Sequence, residues 1–501
     1  SRTIYVDRVA PTCSGTQDGK RLISRTATLL QCSEPMDVAS VQANSSSTPA
    51  ASGLTSKDGI AFAFASSGSL QPYQPYTLSL VSTAKDKAGN TIGATVSERF
   101  LTELVLPPAQ VTLQLGMRLR PTESGRVPLA LDLDGKPSII LTSGTYQTGL
   151  TVTATRWDGR GAWQTTTLAP FGQSPCTEGS CNSFDAGDYR ITSAIQPDLS
   201  LSNEYHLLLI DNQVQSACFN YFRYVRSKDF VTWTGLASTP SDLLVGNSEI
   251  GCWYEGASLI FENSGNNLAL SAIIPHWASG SPFESSWITQ PILIRMNSNS
   301  TGWLTPLAVT QPSAENRVRG TVLAKGTNEF HAIPSDSVMP FQFSTAISDL
   351  VFYGAQQVMT RTPVGYAPTG SAFLAWSEFK STGAESYPAM YLACSQNPSN
   401  ATSWNRSLDI SPVPSSDRNN NEHPQRVHVG LGETKGAVAL HTDRNRVFFG
   451  TFDNTFCQTA PISPIWSIQT QASYPTVAVS PDGTVWRTWI DTATSGMIIA
   501  H

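Results

Sequence analysis

Charge is scarce in this chain. Of its 501 residues only 14% are Asp, Glu, Lys or Arg, and the net charge is −6. No basic field exists to draw nucleic acid or an anionic membrane surface, so neither is an expected partner. Long apolar runs are missing too, none approaching the ~20 residues that a spanning helix needs. No CxxC pair occurs and the 7 histidines are scattered, which removes zinc-type ligand spacing. The GxSxG elbow, the GxxxxGK[ST] phosphate loop, HExxH and a complete EF-hand loop are absent as well. No metal and no cofactor are expected. Helical periodicity is rare.

Hydrophobic residues make up 40% of the chain, enough at this length for a sizeable core and more than one domain. Short β-rich runs alternate throughout with clusters of Gly, Asn, Asp, Ser and Pro, the pattern of an all-β protein. The 8 cysteines stand at 13, 32, 176, 181, 218, 252, 394 and 457. An even count without metal spacing reads as disulfides, and so as export to an oxidising compartment. Connectivity is open, since eight cysteines allow about 105 patterns. The expected pairs are Cys13–Cys32, Cys176–Cys181, Cys218–Cys252 and Cys394–Cys457, with free buried thiols in a reducing compartment as the alternative. The expected location is extracellular, cell-surface or periplasmic. The numbering is taken to start after a removed export signal.

A composition break falls at Leu104–Ala109, where Pro107-Pro108 stiffens a linker over residues 105–109. Before it, Cys32-Ser33-Glu34-Pro35-Met36-Asp37 is followed by Ala39-Ser40-Val41. Then come Tyr76-Thr77-Leu78, Asp86-Lys87-Ala88-Gly89-Asn90 and Phe100-Leu101-Thr102. In that order these segments resemble the bacterial Ig-like domain family of surface-layer and other secreted proteins, with Cys32 in place of the usual Phe. The resemblance covers residues 1–104 and implies a β-sandwich that acts as a spacer.

Residues 110–501 repeat a unit. Its first half is a β run, a polar turn and a second β run, as in Arg126–Ala130, Asp134-Gly135 and Ser138–Leu141, or Val477–Val479, Pro481-Asp482-Gly483 and Thr484–Trp489. Its second half carries a Trp followed by Leu or Ile: Trp163, Trp233, Trp303, Trp404 and Trp466. Units holding four short strands are the pattern of a β-propeller of about seven blades. Blades are expected to start near residues 126, 189, 257, 319, 360, 426 and 474, with six or eight left open. The orphan run Gln110–Leu115 is the expected closing strand. Each Trp is expected to pack an outermost strand over its neighbour. Asp132-Leu133-Asp134-Gly135 has the look of a calcium loop but reads as a turn between strands. Ser227-Lys228-Asp229-Phe230-Val231-Thr232-Trp233 is similar to the Ser-x-Asp…Trp turn of glycoside hydrolase propellers, and Ser480–Trp486 is a looser echo of it. In those families such turns are structural.

Arg126, Arg190, Arg319, Arg361 and Arg426 fall at or near the expected starts of first strands. Converging there, they would form a cationic funnel suited to carboxylates, which guanidinium groups pair bidentately. The plainer reading pairs each Arg with a neighbouring carboxylate. Tyr189-Arg190-Ile191 also resembles a sialidase segment whose Arg holds the substrate carboxylate, although Thr192 replaces the family's Pro. No catalytic residue can be assigned. The polar loop Ser415–His423 is expected on the same face as Arg426. The leading expectation is a ligand-binding or adhesion protein whose partner is a glycan or a surface protein. A sialidase-like hydrolase or lyase acting on anionic glycans, and a structural part of a surface assembly, are the alternatives.

Overall fold

A computed structural model describes residues 7–113 apart from 52 and 66, 129–145 apart from 133, 149–168, 183–192 and 204–235 apart from 216. Beyond these it describes 258–264, 267–279, 288–295, 307–308, 322–326, 329–332, 342–344, 364–366, 372–381, 386–396, 405–406, 408–413, 424–453 apart from 443, and 464–501. The described chain is overwhelmingly strand, and no helix in it is long and apolar enough to cross a membrane. It divides into two compact units, the first holding Ser1–Pro107 together with Trp157–Trp163.

In the first unit the strands are β1 (Cys13–Gly15), β2 (Lys20–Ile23), β3 (Leu30–Cys32), β4 (Ser45–Thr48), β5 (Leu54–Thr55), β6 (Ala61–Phe64), β7 (Pro75–Leu80) and β8 (Val96–Thr102). They form two four-stranded sheets, ordered β1-β3-β6-β5 and β2-β8-β7-β4. Alternation sends one face of each strand inward: in β7, Tyr76, Leu78 and Leu80 are buried while their neighbours are half-buried. They meet Leu30, Phe62, Phe64 and Phe100 in a core shared by the two sheets. A short helix, α1 (Val38–Ala43), begins where Asp37 Oδ1 accepts the Ala39 amide at 3.0 Å. The expected Cys13–Cys32 disulfide is present and ties β1 to β3.

Among the described residues, the second unit holds seven sheets in chain order. Sheet 1 joins Leu129–Leu131, Pro137–Thr145, Gly149–Trp157 and Trp163–Leu168, and sheet 2 joins Ser183–Thr192, Glu204–Gln215, Ala217–Ser227 and Thr234–Gly235. Sheet 3 joins Ser258–Ser264, Asn267–Ser279, Ile288–Arg295 and Leu307–Ala308. Sheet 4 has Val322–Gly326, Glu329–Ala332 and Gln342–Ser344, and sheet 5 has Val364–Tyr366, Ala372–Ser381, Ser386–Ser395 and Asn405–Arg406. Sheet 6 joins Pro424–Leu431, Lys435–Thr442, Arg446–Asp453 and Ile465–Thr470. Sheet 7 joins Ala472–Val479, Val485–Asp491 and Met497–Ala500, and its fourth strand is β9 (Gln110–Leu113), paired antiparallel with Met497–Ala500. Each sheet is a meander of successive neighbours, apart from the last strand of sheet 7, which comes from the start of the unit.

The first strand of every sheet lies against the first strand of the next, and that of sheet 7 lies against that of sheet 1, so these contacts run in a cycle. Between sheets the contact is apolar. Ala130, Ile140, Ala154 and Leu168 of sheet 1 meet Tyr205, Val225 and Phe230, with Trp233 packed against them. Met390, Leu392 and Cys394 of sheet 5 meet Val438, Leu440 and Phe448 of sheet 6, with Trp466 against that cluster. Trp233 and Trp466 therefore cover seams as expected, Trp163 instead packs edge-on against Trp157 of its own sheet at 5.4 Å between ring centroids, and Trp303 and Trp404 lie outside the described residues. Cys394 is disulfide-bonded, and its partner falls outside the residues whose side chains are described.

Candidate ligand-binding site

Of the five arginines singled out in the sequence, Arg126, Arg319 and Arg361 lie outside the described residues. Arg190 and Arg426 both sit on first strands. The strand of sheet 2 starts at Ser183 rather than near 189 and runs to Thr192, with a bulge between Ala186 and Tyr189. Arg190 is therefore close to the end of its strand, whereas Arg426 is close to the start of Pro424–Leu431. The two occupy different levels along their strands. The loop Ser415–His423 also lies outside the described residues.

At the Arg426 end the seam between sheets 6 and 7 brings polar side chains together. Facing is fixed by the core. Ala437, Ala439, Val447 and Phe449 pack with Ala472, Val477, Trp489 and Ile498, so this parity of sheet 6 looks toward sheet 7. Gly430 is paired with Ala437, and a Cβ on it would come within 2.9 Å of Ala478 Cα. Only glycine lets the two first strands approach so closely. His428, paired with Ala439, and Arg426, paired with His441, continue the same row toward the strand start. His428 and His441 are buried at 9% and 7% exposure, and His441 lies 5.8 Å from the Tyr474 ring, centroid to centroid.

Both first strands are irregular here. A register shift lies between Pro424 and Arg426, and another between Ser473 and Thr476. Tyr474 has φ +54, a left-handed conformation that a bulky residue seldom adopts. Bulges re-aim side chains, and strained backbone gathers at functional positions. Deeper in the seam the Arg487 guanidinium lies 5.9 Å from the Phe449 ring, its Nε is buried without an acceptor, and burial lowers its pKa. Imidazole and phenol groups at one strand end supply hydrogen-bonding groups for hydroxyls and carboxylates and offer ring faces for stacking. The sequence singled out Arg426. It gave no warning of His441 or Tyr474, whose only signal is cross-strand register.

Other candidates resolve into structure. In sheet 2, Asp229 Oδ1 accepts from Ser227 Oγ at 3.0 Å and from the Val231 and Thr232 amides at 2.8 and 2.7 Å, while Ser227 Oγ takes the Phe230 amide at 2.8 Å. This is turn bracing, as the sequence suggested. Ser480 and Asp482 brace the turn of sheet 7 through a short side-chain hydrogen bond and the Thr484 amide. The same Ser-x-Asp bracing recurs in the first unit at Ser56 and Asp58, where it was not anticipated. Asp132 is a turn residue: Oδ1 accepts the Asp134 and Lys136 amides, and Oδ2 lies 3.3 Å from Lys136 Nζ. In the first unit, carboxylate oxygens of Asp7, Glu34 and Asp86 lie within 4.8 Å of one another, with Asp86 also held by Asn90.

No protein-family model matches the chain, and no curated protein matches it in sequence. Solved structures that match the chain include polysaccharide lyase Uly1, at 10% identity and TM-score 0.44 over 76% of this chain and 90% of that one. The Aleuria aurantia lectin, in complex with Fucα1-6GlcNAc, matches at 10% and 0.39 over 74% and 98%. The Penicillium chrysogenum α-L-arabinanase, complexed with arabinobiose, matches at 15% and 0.38 over 59% and 89%. All three identities and TM-scores are low, and the reading of the site rests on the chain's own residues.

Proposed function

We propose that this is an exported glycan-binding protein. Its second unit is a seven-bladed β-propeller that binds a carbohydrate, by preference an anionic one, where the first strands of sheets 6 and 7 begin. Its first unit is an Ig-like spacer. The propeller reading is supported by the cycle of first-strand contacts and by β9, a strand from the start of the unit that completes the last sheet. Export is supported by the Cys13–Cys32 disulfide and by the bonded Cys394.

The observation that carries the binding reading is the buried His428 and His441 beside Tyr474, on two bulged strands, at the strand level where Arg426 pairs with His441. Arg426, placed by register at this level, would add a cation there on a chain of net charge −6. A glycan array carrying neutral, uronic-acid and sialylated oligosaccharides tests this. Binding to acidic glycans, weakened by salt, is the expected result. An array without signal for folded protein would overturn it, and shortening of bound glycans would move the reading to a hydrolase or lyase.

A further inference from the structure

Glu98 lies in the middle of β8, on the same face as Phe100, with an exposure of 0%. Its strand partner is Leu78 of β7, itself part of the core. Above it the chain leaves β1, turns through residues 16–19 and enters β2, crossing from one sheet to the other. The crossing rests on the carboxyl group. Glu98 Oε2 accepts the Gln17 amide at 3.0 Å, with the Thr16 amide beside it, while Oε1 is buried and has no partner. A Cβ at Gly15 would come within 2.8 Å of both Glu98 Cβ and Oε2, so only glycine leaves room for this contact.

Little charge is at hand to compensate the carboxylate. Asp18 in the turn opposes ionisation, and Lys20 of β2 favours it weakly, its ammonium being drawn to the Thr16 carbonyl at 2.9 Å. Beside Glu98, β7 contributes Leu78, and β1 contributes a disulfide cysteine, a serine and a glycine. A buried carboxyl with one oxygen unpaired favours its neutral form, whereas the same group in an opened chain ionises freely.

We propose that Glu98 makes the 16–19 crossing a pH-responsive latch, held most firmly when its carboxyl is protonated and loosened as the medium rises toward neutral pH. Burial pushes the carboxyl up to about 7, against the pull of the Gln17 and Thr16 amides. In the opened chain it ionises near its ordinary value of 4.5. The contribution is therefore complete below about pH 4.5, fades as pH rises to about 7, and is flat beyond. For that pair of values the opening equilibrium grows about 50- to 100-fold between pH 5 and 8.

Hydrogen-exchange mass spectrometry of the full chain, with rates corrected for intrinsic pH dependence, reads this at residues 15–23. Protection there should fall by that factor from pH 5 to 8, while the core of β7 stays level. In Glu98→Gln, which keeps the shape and loses the titration, the slope should vanish. Glu98→Met gives the same comparison should the amide variant fail to fold. Equal protection of residues 15–23 across the range in the unaltered chain, or an unchanged slope in a folded variant, would overturn the latch.

Discussion

In the turn of sheet 1, Asp132 and Lys136 are each about 3% exposed and bonded to one another. Burial raises the carboxyl pKa and lowers that of the ammonium, each opposed by the partner's charge. Removing one member strands the other, so Asp132→Ala should destabilise the second unit by about 3–5 kcal/mol, and Lys136→Met by a similar amount. Changing both to apolar residues of similar volume should cost far less. Chemical unfolding of the three variants checks this, and near-additive losses in the double variant would contradict it. At Asp229 burial opposes ionisation, but the Thr232 and Val231 amides and the Ser227 hydroxyl outweigh it and hold the carboxyl at about 2. That stabilisation is present above about pH 4 and fades as pH falls toward 2. The side chain is largely exposed, so Asp229→Asn should cost only about 1 kcal/mol or less at pH 6. The gap to the unaltered chain should close near pH 2, as read by urea melts at both values.

At the scale of elements, β9 brings the start of the second unit onto its last sheet. β9 pairs Val111 with Ile499 and Thr112 with Ile498, and without it Met497–Ala500 would become an open sheet edge. Residues alternate along an antiparallel ladder between those whose amides bond inward and those whose amides face out. Val111→Pro and Thr112→Pro should therefore differ: one removes a ladder bond and lowers the melting temperature by several degrees, while its neighbour is tolerated. Equal effects on melting and on aggregation would count against the pairing. This strand was legible in the sequence because Gln110–Leu113 is β-rich and has no partner nearby in the chain. The seams under Trp233 and Trp466 were legible for the same kind of reason, a recurring large residue. Glu98 was not singled out, although it shares strand parity with Phe100 and Thr102, and period-2 spacing alone would have placed it inward. Asp132 read as part of a turn between strands, and nothing local announces that it and Lys136 will be buried. Bulges hid the level of Arg190 and the strained backbone of Tyr474, because one inserted residue leaves composition unchanged while displacing every later residue along the strand.

Within the second unit, the approach of Gly430 to Ala478 and of His441 to Tyr474 sets the starts of the first strands of sheets 6 and 7 side by side. A ligand bound at the proposed site would meet both sheets at once and touch groups far apart in sequence, such as His428 and Tyr474. A carboxylate held by one guanidinium accounts for about 1.5–3 kcal/mol, or roughly 10- to 100-fold in affinity. Lys435 begins the second strand of sheet 6 and so lies at the opposite end of the same hairpin from Arg426, exposed to solvent. The two cations share a sheet and differ in level.

Titration calorimetry with one acidic oligosaccharide taken from the array, on the unaltered chain, Arg426→Ala and Lys435→Ala, is the most direct test of the proposed site. The expected result is a loss of at least about tenfold in affinity for Arg426→Ala, with Lys435→Ala unchanged. Equal affinity across all three proteins, or a loss confined to Lys435→Ala, would contradict it.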